Sequence, residues 1–154
     1  MILAAIDIGS NAARLLITEV TVGDKKTVFE KLNLVRVPLR LGFDVFDKKE
    51  ISPGKAAMFL NTIRSFKYLM DAYGVSNSKA VATSAMRDAR NSAEVLESVR
   101  VATGIEIEVI SGDDEASFIY ENHIAENMDK ENAYLYIDVG GVGSKVTARA
   151  MAMA

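Results

Sequence analysis

Residues 2–11 read Ile-Leu-Ala-Ala-Ile-Asp-Ile-Gly-Ser-Asn, an apolar run that ends in a glycine-containing turn. The run is typical of a buried strand, and we expect the turn after it to require flexible backbone. The same order of strand, aspartate and glycine returns at 136–141 as Tyr-Ile-Asp-Val-Gly-Gly. Each copy places a carboxylate, Asp7 or Asp138, beside backbone N–H groups that can bind phosphate oxygens, while the carboxylate holds a divalent cation or a water. The alternative is an aspartate that only caps a tight turn.

Outward from this stretch, the hydrophobic pattern predicts hairpins first and alternating helices and strands after them. The predicted strands are 2–8, 15–22, 28–41, 75–83, 105–110 and 134–139, and the predicted helices are 52–73, 92–103 and 111 to about 127. Ser52 and Pro53 begin the first helix, Ser92 caps the second, and Gly74 and Gly104 end them. A return strand can begin at 145–147, whereas the rest of 147–154 carries little pattern. The order β-β-β-α-β-α-β-α predicts an α/β fold with a mixed sheet and helices packed on it.

Composition limits the classes of function. The chain has 154 residues, of which 49% are hydrophobic and 25% charged, as in a soluble globular domain. A net charge of -3 argues against a general affinity for nucleic acid or anionic membrane. Because the chain has no cysteine and only one histidine, a catalytic metal would have oxygen ligands, and His123 itself is interpreted as a structural or surface residue. The absence of a basic leader or a long apolar span predicts a cytoplasmic protein.

Two further segments carry polar chemistry. Residues 81–91 follow a strand and contain two arginines, two hydroxyl residues and an asparagine, a set suited to phosphate or simply to a solvated loop. Around Ser111 and Asp114, the sequence predicts a capping box at a helix start, and acids there also suit the helix dipole. Glu115 lies one position beyond this box, on the sheet edge expected for both aspartates, where it can accept a proton from water. From spacing alone, the capping interpretation is preferred.

Four segments together resemble the exopolyphosphatase/guanosine pentaphosphate phosphohydrolase (Ppx/GppA) family of the actin-like ATPase superfamily. In chain order they are Ala-Ile-Asp-Ile-Gly-Ser-Asn with the arginine that follows, Thr-Ser-Ala-Met-Arg-Asp-Ala-Arg-Asn, Ile-Ser-Gly-Asp-Asp-Glu-Ala, and Tyr-Ile-Asp-Val-Gly-Gly. The resemblance implies a ribonuclease H-like fold and a set of site residues. These are the first phosphate loop with Asp7, Gly9, Ser10 and Asn11, the phosphate ligands Arg14 and Arg87, the catalytic base Glu115, and the second phosphate loop with Asp138, Gly140 and Gly141.

The resemblance also implies a chemistry. It implies Mg²⁺, with Mn²⁺ as an alternative, held near Asp7 and Asp138, and release of the terminal phosphate of inorganic polyphosphate or guanosine pentaphosphate. Two other classes stay open at this point. One is another actin-like ATPase or a sugar kinase, because the Asp-x-Gly loops are shared across the superfamily. The other is a non-catalytic chain that binds a phosphorylated ligand.

The same comparison suggests a division of the chain. We expect a first subdomain over 1–127, and a linker with the first strand of a truncated second subdomain over 128–154. Because family members continue further, we expect this chain alone to hydrolyse its substrate weakly or not at all. We expect self-association, as a homodimer or otherwise, through the strand predicted at 134–139, and no nucleic-acid or membrane partner.

Overall fold

The computed structural model describes residues 1–23, 27–115, 134–138 and 147–151. The chain forms two compact units, Met1–Val109 and Ile110–Ala154. The first unit contains the strands β1 (Ile2–Ile8), β2 (Ala13–Val22), β3 (Thr27–Val37), β4 (Asn77–Ala82) and β5 (Ile107–Val109), and the helices α1 (Leu41–Lys48), α2 (Pro53–Ala72), α3 (Ser84–Asp88) and α4 (Ser92–Thr103). The second unit contains β6 (Tyr134–Asp138) and β7 (Thr147–Met151), which pair antiparallel.

The sheet of the first unit is mixed, as the element order predicts. Its five strands lie in the order β3-β2-β1-β4-β5. β1 pairs antiparallel with β2 and parallel with β4, and β4 pairs parallel with β5. A parallel pair needs a crossover between its strands, and this one contains the long helix α2. The α/β fold class is confirmed, and the topology brings the carboxyl ends of β1 and β4 side by side.

Helix α2 begins and ends where the sequence predicts. Pro53 is its first residue, and Gly74 follows with φ of 66°, a left-handed conformation that favours glycine. Apolar residues at spacings of three and four give the helix one buried face. That face, Phe59, Ile63, Phe66 and Met70, joins the inward residues of β1 and β2, Ile6, Ile8, Leu15 and Ile17, in the main hydrophobic core.

Several predicted boundaries are wrong. The strand predicted over 28–41 ends at Val37, and helix α1 follows it after Arg40, whose φ of 55° is left-handed. The stretch predicted as one loop after β4 contains helix α3. Helix α4 does begin at Ser92, but the cap residue is Asn91. The predicted return strand is β7, which begins at Thr147, but it continues to Met151 through the Ala-rich residues that show little pattern.

The second unit bears out the predicted helix start. Residues 112–115 are helical directly after Ser111. Several predicted features lie outside the described residues: the continuation of this helix toward Asn127, His123, and the second-loop residues Gly140 and Gly141. The predicted subdomain boundary after residue 127 therefore stays a prediction. Among the residues that the structure describes, no helix is long and apolar enough to cross a membrane.

Candidate functional site

Two of the predicted phosphate-binding segments meet at the carboxyl ends of β1 and β4. Ile8 and Ala82 are partners in the parallel pairing, and the Thr83 N–H donates to the Ile8 carbonyl at 3.0 Å. Just beyond, the hydroxyl oxygens of Ser10 and Ser84 lie 2.6 Å apart. Ser84 therefore joins the candidate site, although the sequence marked it only as one hydroxyl among several. Both side chains are partly buried, which holds the two loops in a fixed relation.

The turn at Gly9 differs from the expectation. Its N–H donates to the Ala12 carbonyl at 3.0 Å, which closes a tight turn. Its φ is not in the left-handed region, so the prediction that this turn requires glycine backbone freedom is wrong. A Cβ at this position would lie 3.6 Å from the Ala12 oxygen, an ordinary contact. Neither backbone conformation nor crowding by the described residues accounts for a glycine here.

Asp7 and Arg14 face each other across β1 and β2. They are direct partners in the antiparallel register, and Arg14 Nη1 donates to Asp7 Oδ2 at 3.3 Å. The side chains are 45% exposed for Asp7 and 56% for Arg14. Partial burial raises the pKa of the Asp7 carboxyl above its ordinary value, and the charge and hydrogen bond of Arg14 offset part of that rise. The predicted metal ligand and a predicted phosphate ligand are thus bound to each other.

The start of helix α1 contacts the loop after β1, and neither the helix nor this contact was predicted from the sequence. The Gly42 N–H donates to the Ser10 carbonyl and the Arg40 N–H to the Asn11 carbonyl, both at 2.8 Å. A Cβ on Gly42 would lie 3.1 Å from Ser10 Cβ and 2.8 Å from the Phe46 ring, so this glycine permits the close approach. The available signal was the four-residue spacing of apolar positions from Leu41, which is typical of a short amphipathic helix.

The predicted phosphate-binding segment after β4 contains helix α3 and a structural part beyond it. Arg87 is exposed on α3, one turn after Ser84. Asn91 instead accepts from the Ile51 N–H and donates to the Ile51 carbonyl, both at 2.9 Å. The Arg90 N–H also donates to the Lys49 carbonyl. The asparagine in this segment is therefore a structural residue that fixes the segment to the α1–α2 connection.

In the second unit, the capping box is confirmed. Ser111 Oγ donates to Asp114 Oδ2 at 2.7 Å, and the Asp114 N–H donates to Ser111 Oγ at 3.1 Å. These bonds hold the pKa of Asp114 below its ordinary value. Glu115 donates its backbone N–H to the Ser111 carbonyl, and its side chain is partly buried whereas Asp113 and Asp114 are exposed. Capping therefore accounts for the role of Asp114 at this helix start.

Asp138 is the last residue of β6 and lies opposite Thr147 of β7. Because β6 belongs to the two-stranded sheet and Asp7 to the five-stranded one, the expectation that both aspartates share one sheet is wrong. Within the described ranges, no group of three or more His, Asp or Glu side chains could hold a metal by itself. The side-chain donors of Asp7, Ser10 and Ser84 are nevertheless all oxygens, which suits Mg²⁺ when water and phosphate complete its shell.

Comparison with known proteins places this geometry in context. The family model described as the Ppx/GppA phosphatase family matches residues 17–147. Exopolyphosphatase 1 of Mycobacterium tuberculosis is 32% identical over 120 residues, which are 78% of this chain and 34% of the relative. The guanosine-5'-triphosphate,3'-diphosphate pyrophosphatase of Aeromonas hydrophila is 32% identical over 145 residues, 93% of this chain and 28% of the relative. A bifunctional 3-dehydroquinate synthase/phosphatase of Fusobacterium nucleatum is 32% identical over 152 residues, 94% of this chain and 22% of the relative.

Solved structures agree with the fold. The Aquifex aeolicus member of the Ppx/GppA family superposes with a TM-score of 0.79 at 29% identity, covering 98% of this chain and 51% of that one. An exopolyphosphatase from Cytophaga hutchinsonii gives a TM-score of 0.80 at 24% identity, a likeness of fold, over 99% of this chain and 51% of that one. The chain thus spans about half the length of these structures and 22% to 34% of the curated relatives.

Proposed function

Because the chain belongs to the Ppx/GppA phosphatase family, we propose that it is a phosphohydrolase releasing terminal phosphate from inorganic polyphosphate or guanosine pentaphosphate. The observation that carries the proposal is the 2.6 Å contact between Ser10 and Ser84. It joins the loop after β1 to the start of α3, so two segments with phosphate-binding chemistry act as one site. The names of the relatives, an exopolyphosphatase and a pyrophosphatase for a guanosine polyphosphate, support these two substrate classes.

The first unit would bind and orient the phosphate chain. The Gly9 N–H already donates to the Ala12 carbonyl, but the turn beyond it can offer backbone N–H groups to phosphate oxygens, and the absent Cβ of Gly9 leaves room for a close approach. The hydroxyls of Ser10 and Ser84 add donors, and Arg87, three residues after Ser84, adds an exposed positive charge. Phosphoryl transfer depends mainly on positioning and charge stabilisation, and these groups would position the phosphate and stabilise its charge.

The remaining roles are proposals of the same scheme. Glu115 would orient the attacking water and take its proton, for which a carboxylate outside the capping box is suited. Asp138, Gly140 and Gly141 would supply the second phosphate loop. Mg²⁺, when bound by Asp7 and Asp138, supplies neutralisation of the phosphate charge. We also propose the division into 1–127 and 128–154, self-association and a cytoplasmic location. The net charge of -3 supports a further proposal, that the chain has no nucleic-acid or membrane partner.

The test combines binding and turnover. Calorimetry with a defined-length polyphosphate, and separately with guanosine pentaphosphate, is expected to show binding that needs Mg²⁺. In an assay sensitive enough for the weak turnover that we expect of this chain alone, phosphate release is expected to stop in excess chelator and to resume when Mg²⁺ is added back. Binding without any release would favour the phosphate-binding alternative, and transfer of phosphate from ATP to a sugar would favour the kinase. Absence of binding by both ligands would contradict the proposal.

A further inference from the structure

The ion pair of Asp7 and Arg14 is incomplete. One contact joins the two groups, from Arg14 Nη1 to Asp7 Oδ2 at 3.3 Å. Among the described residues, Asp7 Oδ1 and the other guanidinium N–H groups make no further hydrogen bond. Both side chains are about half exposed. Exposed single-contact pairs contribute little to stability, so this pair can open at low cost.

The proposed function gives the two residues separate ligands. In the proposed function, Asp7 holds a cation and Arg14 binds a phosphate. In this structure, however, the two side chains form an ion pair with each other. A divalent cation at Asp7 would meet the positive charge of Arg14, which repels it. A phosphate at Arg14 would meet the negative charge of Asp7. A cation that binds alone is therefore repelled by Arg14, and a phosphate that binds alone is repelled by Asp7. When the two bind together, the charge of each offsets the repulsion that the other meets.

We propose that Arg14 is a positioning residue that occupies the cation site at Asp7 until a metal-bound phosphate chain arrives. Arg14 would then leave the Asp7 carboxylate, which would hold the cation, and would turn to the phosphate oxygens. An arginine binds phosphate through two parallel N–H bonds, which are stronger than the single contact that it leaves. The inference rests on the proposed function and adds an order of binding to it, with cation and phosphate entering together.

The backbone around the pair can stay fixed during this exchange. The neighbouring register pairs, Ile6 with Leu15 and Ile8 with Ala13, lie in the hydrophobic core and are at most 1% exposed. Because these neighbours hold β1 against β2, only the Arg14 and Asp7 side chains have to move. Side-chain rotations of exposed residues are fast, so the exchange would not limit turnover.

The test measures Mn²⁺ binding to the chain by electron paramagnetic resonance without any phosphate. Arg14→Met removes the charge and keeps an unbranched apolar stem, so we expect Mn²⁺ to bind about two- to fivefold more tightly than to the wild type. The same variant should bind polyphosphate about tenfold more weakly or worse, because a hydrogen bond to a charged group is lost. A merely structural arginine would not move these affinities in opposite directions.

Three variants control the experiment. Arg14→Lys keeps the charge and should retain wild-type Mn²⁺ affinity. Lys79→Met breaks a comparable exposed pair on neighbouring strands, Lys79 with Glu108 at 3.2 Å, and should leave Mn²⁺ affinity unchanged. Adding Asp7→Asn to Arg14→Met should abolish the gain, which assigns the bound ion to Asp7. Circular dichroism checks that each variant is folded.

Unchanged or weaker Mn²⁺ binding by folded Arg14→Met would overturn the inference. So would a gain that survives Asp7→Asn. Failure of the proposed function has a different signature, since it would appear as wild-type chain that binds neither polyphosphate nor guanosine pentaphosphate. The Mn²⁺ series contains no phosphate and therefore decides the role of Arg14 by itself.

Discussion

The hydroxyl oxygens of Ser10 and Ser84 lie 2.6 Å apart across 74 residues of sequence. In such a contact one hydroxyl donates its proton to the other, so the pair retains one proton for a ligand. A phosphate oxygen that accepts a hydrogen bond from this remaining hydroxyl proton binds to the pair as a unit. The two serines should therefore behave as one element of the site and not as two independent contacts.

Single and double substitutions test this coupling. Ser10→Ala and Ser84→Ala should each weaken polyphosphate binding about fivefold, which corresponds to about 1 kcal/mol for one hydrogen bond. The double variant should lose less than the sum of the two, because either substitution already breaks the shared contact. Calorimetry measures all three, with Ser98→Ala as control, since the Ser98 hydroxyl donates to the Val95 carbonyl within α4, away from the candidate site. Fully additive losses would show that the serines bind separately.

Gly9→Ala should separate folding from binding. A Cβ there makes an ordinary 3.6 Å contact, so we expect the free energy of unfolding to change by less than about 0.5 kcal/mol. Polyphosphate affinity should fall several-fold, because the methyl group occupies the space proposed for phosphate. The matched control is Gly54→Ala on α2, where no atom of the described residues beyond the adjacent helix backbone lies within 4 Å of the new Cβ. It should stabilise the helix by up to about 1 kcal/mol without affecting binding. Equal affinities of the Gly9 variant and the wild type would remove this turn from the site.

Asp44 should contribute a pH-dependent part of stability. Its carboxylate accepts hydrogen bonds from the Ser52 hydroxyl and from the Ser52 N–H, the latter at 3.3 Å, which joins α1 to the start of α2. These bonds lower the pKa of Asp44, helped by Lys55 and Lys48. For a lowered pKa, the stabilisation is present above the ordinary value of about 4 and is lost as the pH falls through the folded-state pKa.

Urea denaturation of Asp44→Asn between pH 7 and pH 3 checks this expectation. The variant should be less stable at neutral pH, by no more than about 1 kcal/mol because the site is partly solvated. The difference from the wild type should shrink as the pH falls. A difference that stays constant down to pH 3 would show that the charge of Asp44 does not contribute.

In a form of the protein that carries both subdomains, Glu115→Gln should lower phosphate release about 10² fold or more and leave the melting temperature nearly unchanged, as expected for a general base. Asp114→Asn should lower the melting temperature and leave phosphate release nearly unchanged, because Asp114 is bonded to Ser111 at the helix start. Steady-state phosphate release and thermal melting of both variants give the comparison. Loss of turnover in Asp114→Asn with normal turnover in Glu115→Gln would contradict the assignment.

The Asp7 titration reports on Arg14 directly. Burial raises the pKa of Asp7, and Arg14 lowers it again through its charge and hydrogen bond. Arg14→Met removes both lowering effects, so the Asp7 midpoint in carbon-detected nuclear magnetic resonance should move upward. Because a raised folded-state pKa favours the protonated acid in the fold, the contribution of Asp7 to stability declines as the pH rises through that value. An unchanged midpoint would mean that the pair does not persist in solution.

Local signals explain what could be predicted from the sequence. Pro53 and Gly74 act through their own backbone preferences, so both ends of α2 were predictable. The Ser111–Asp114 box is equally local. The four ordered motifs also pointed to the correct family and α/β fold.

Tertiary contacts explain the rest. Asn91 resembles a phosphate ligand in sequence, and only its two bonds to the Ile51 backbone show that it is structural. Helix α1 was missed because the β-rich pattern runs on into Leu41, where Arg40 reverses the backbone. Strand β7 consists of generic residues, and its partner β6 defines it. The Asp7–Arg14 pair depends on the register between β1 and β2, which spacing alone did not give.

The parallel pairing of β1 with β4 also sets the time at which the site can form. A newly made chain that has reached only β3 has a complete hairpin sheet, but it lacks the strand that brings Ser84 to Ser10. Local hairpins form early and distant pairings late, because the entropy of closing the long loop through α2 has to be met first. Phosphate binding by this loop pair would therefore report that the crossover has closed. In refolding experiments, a phosphate ligand should bind to the chain only after β4 has paired with β1, and not to a chain that has formed the hairpins alone.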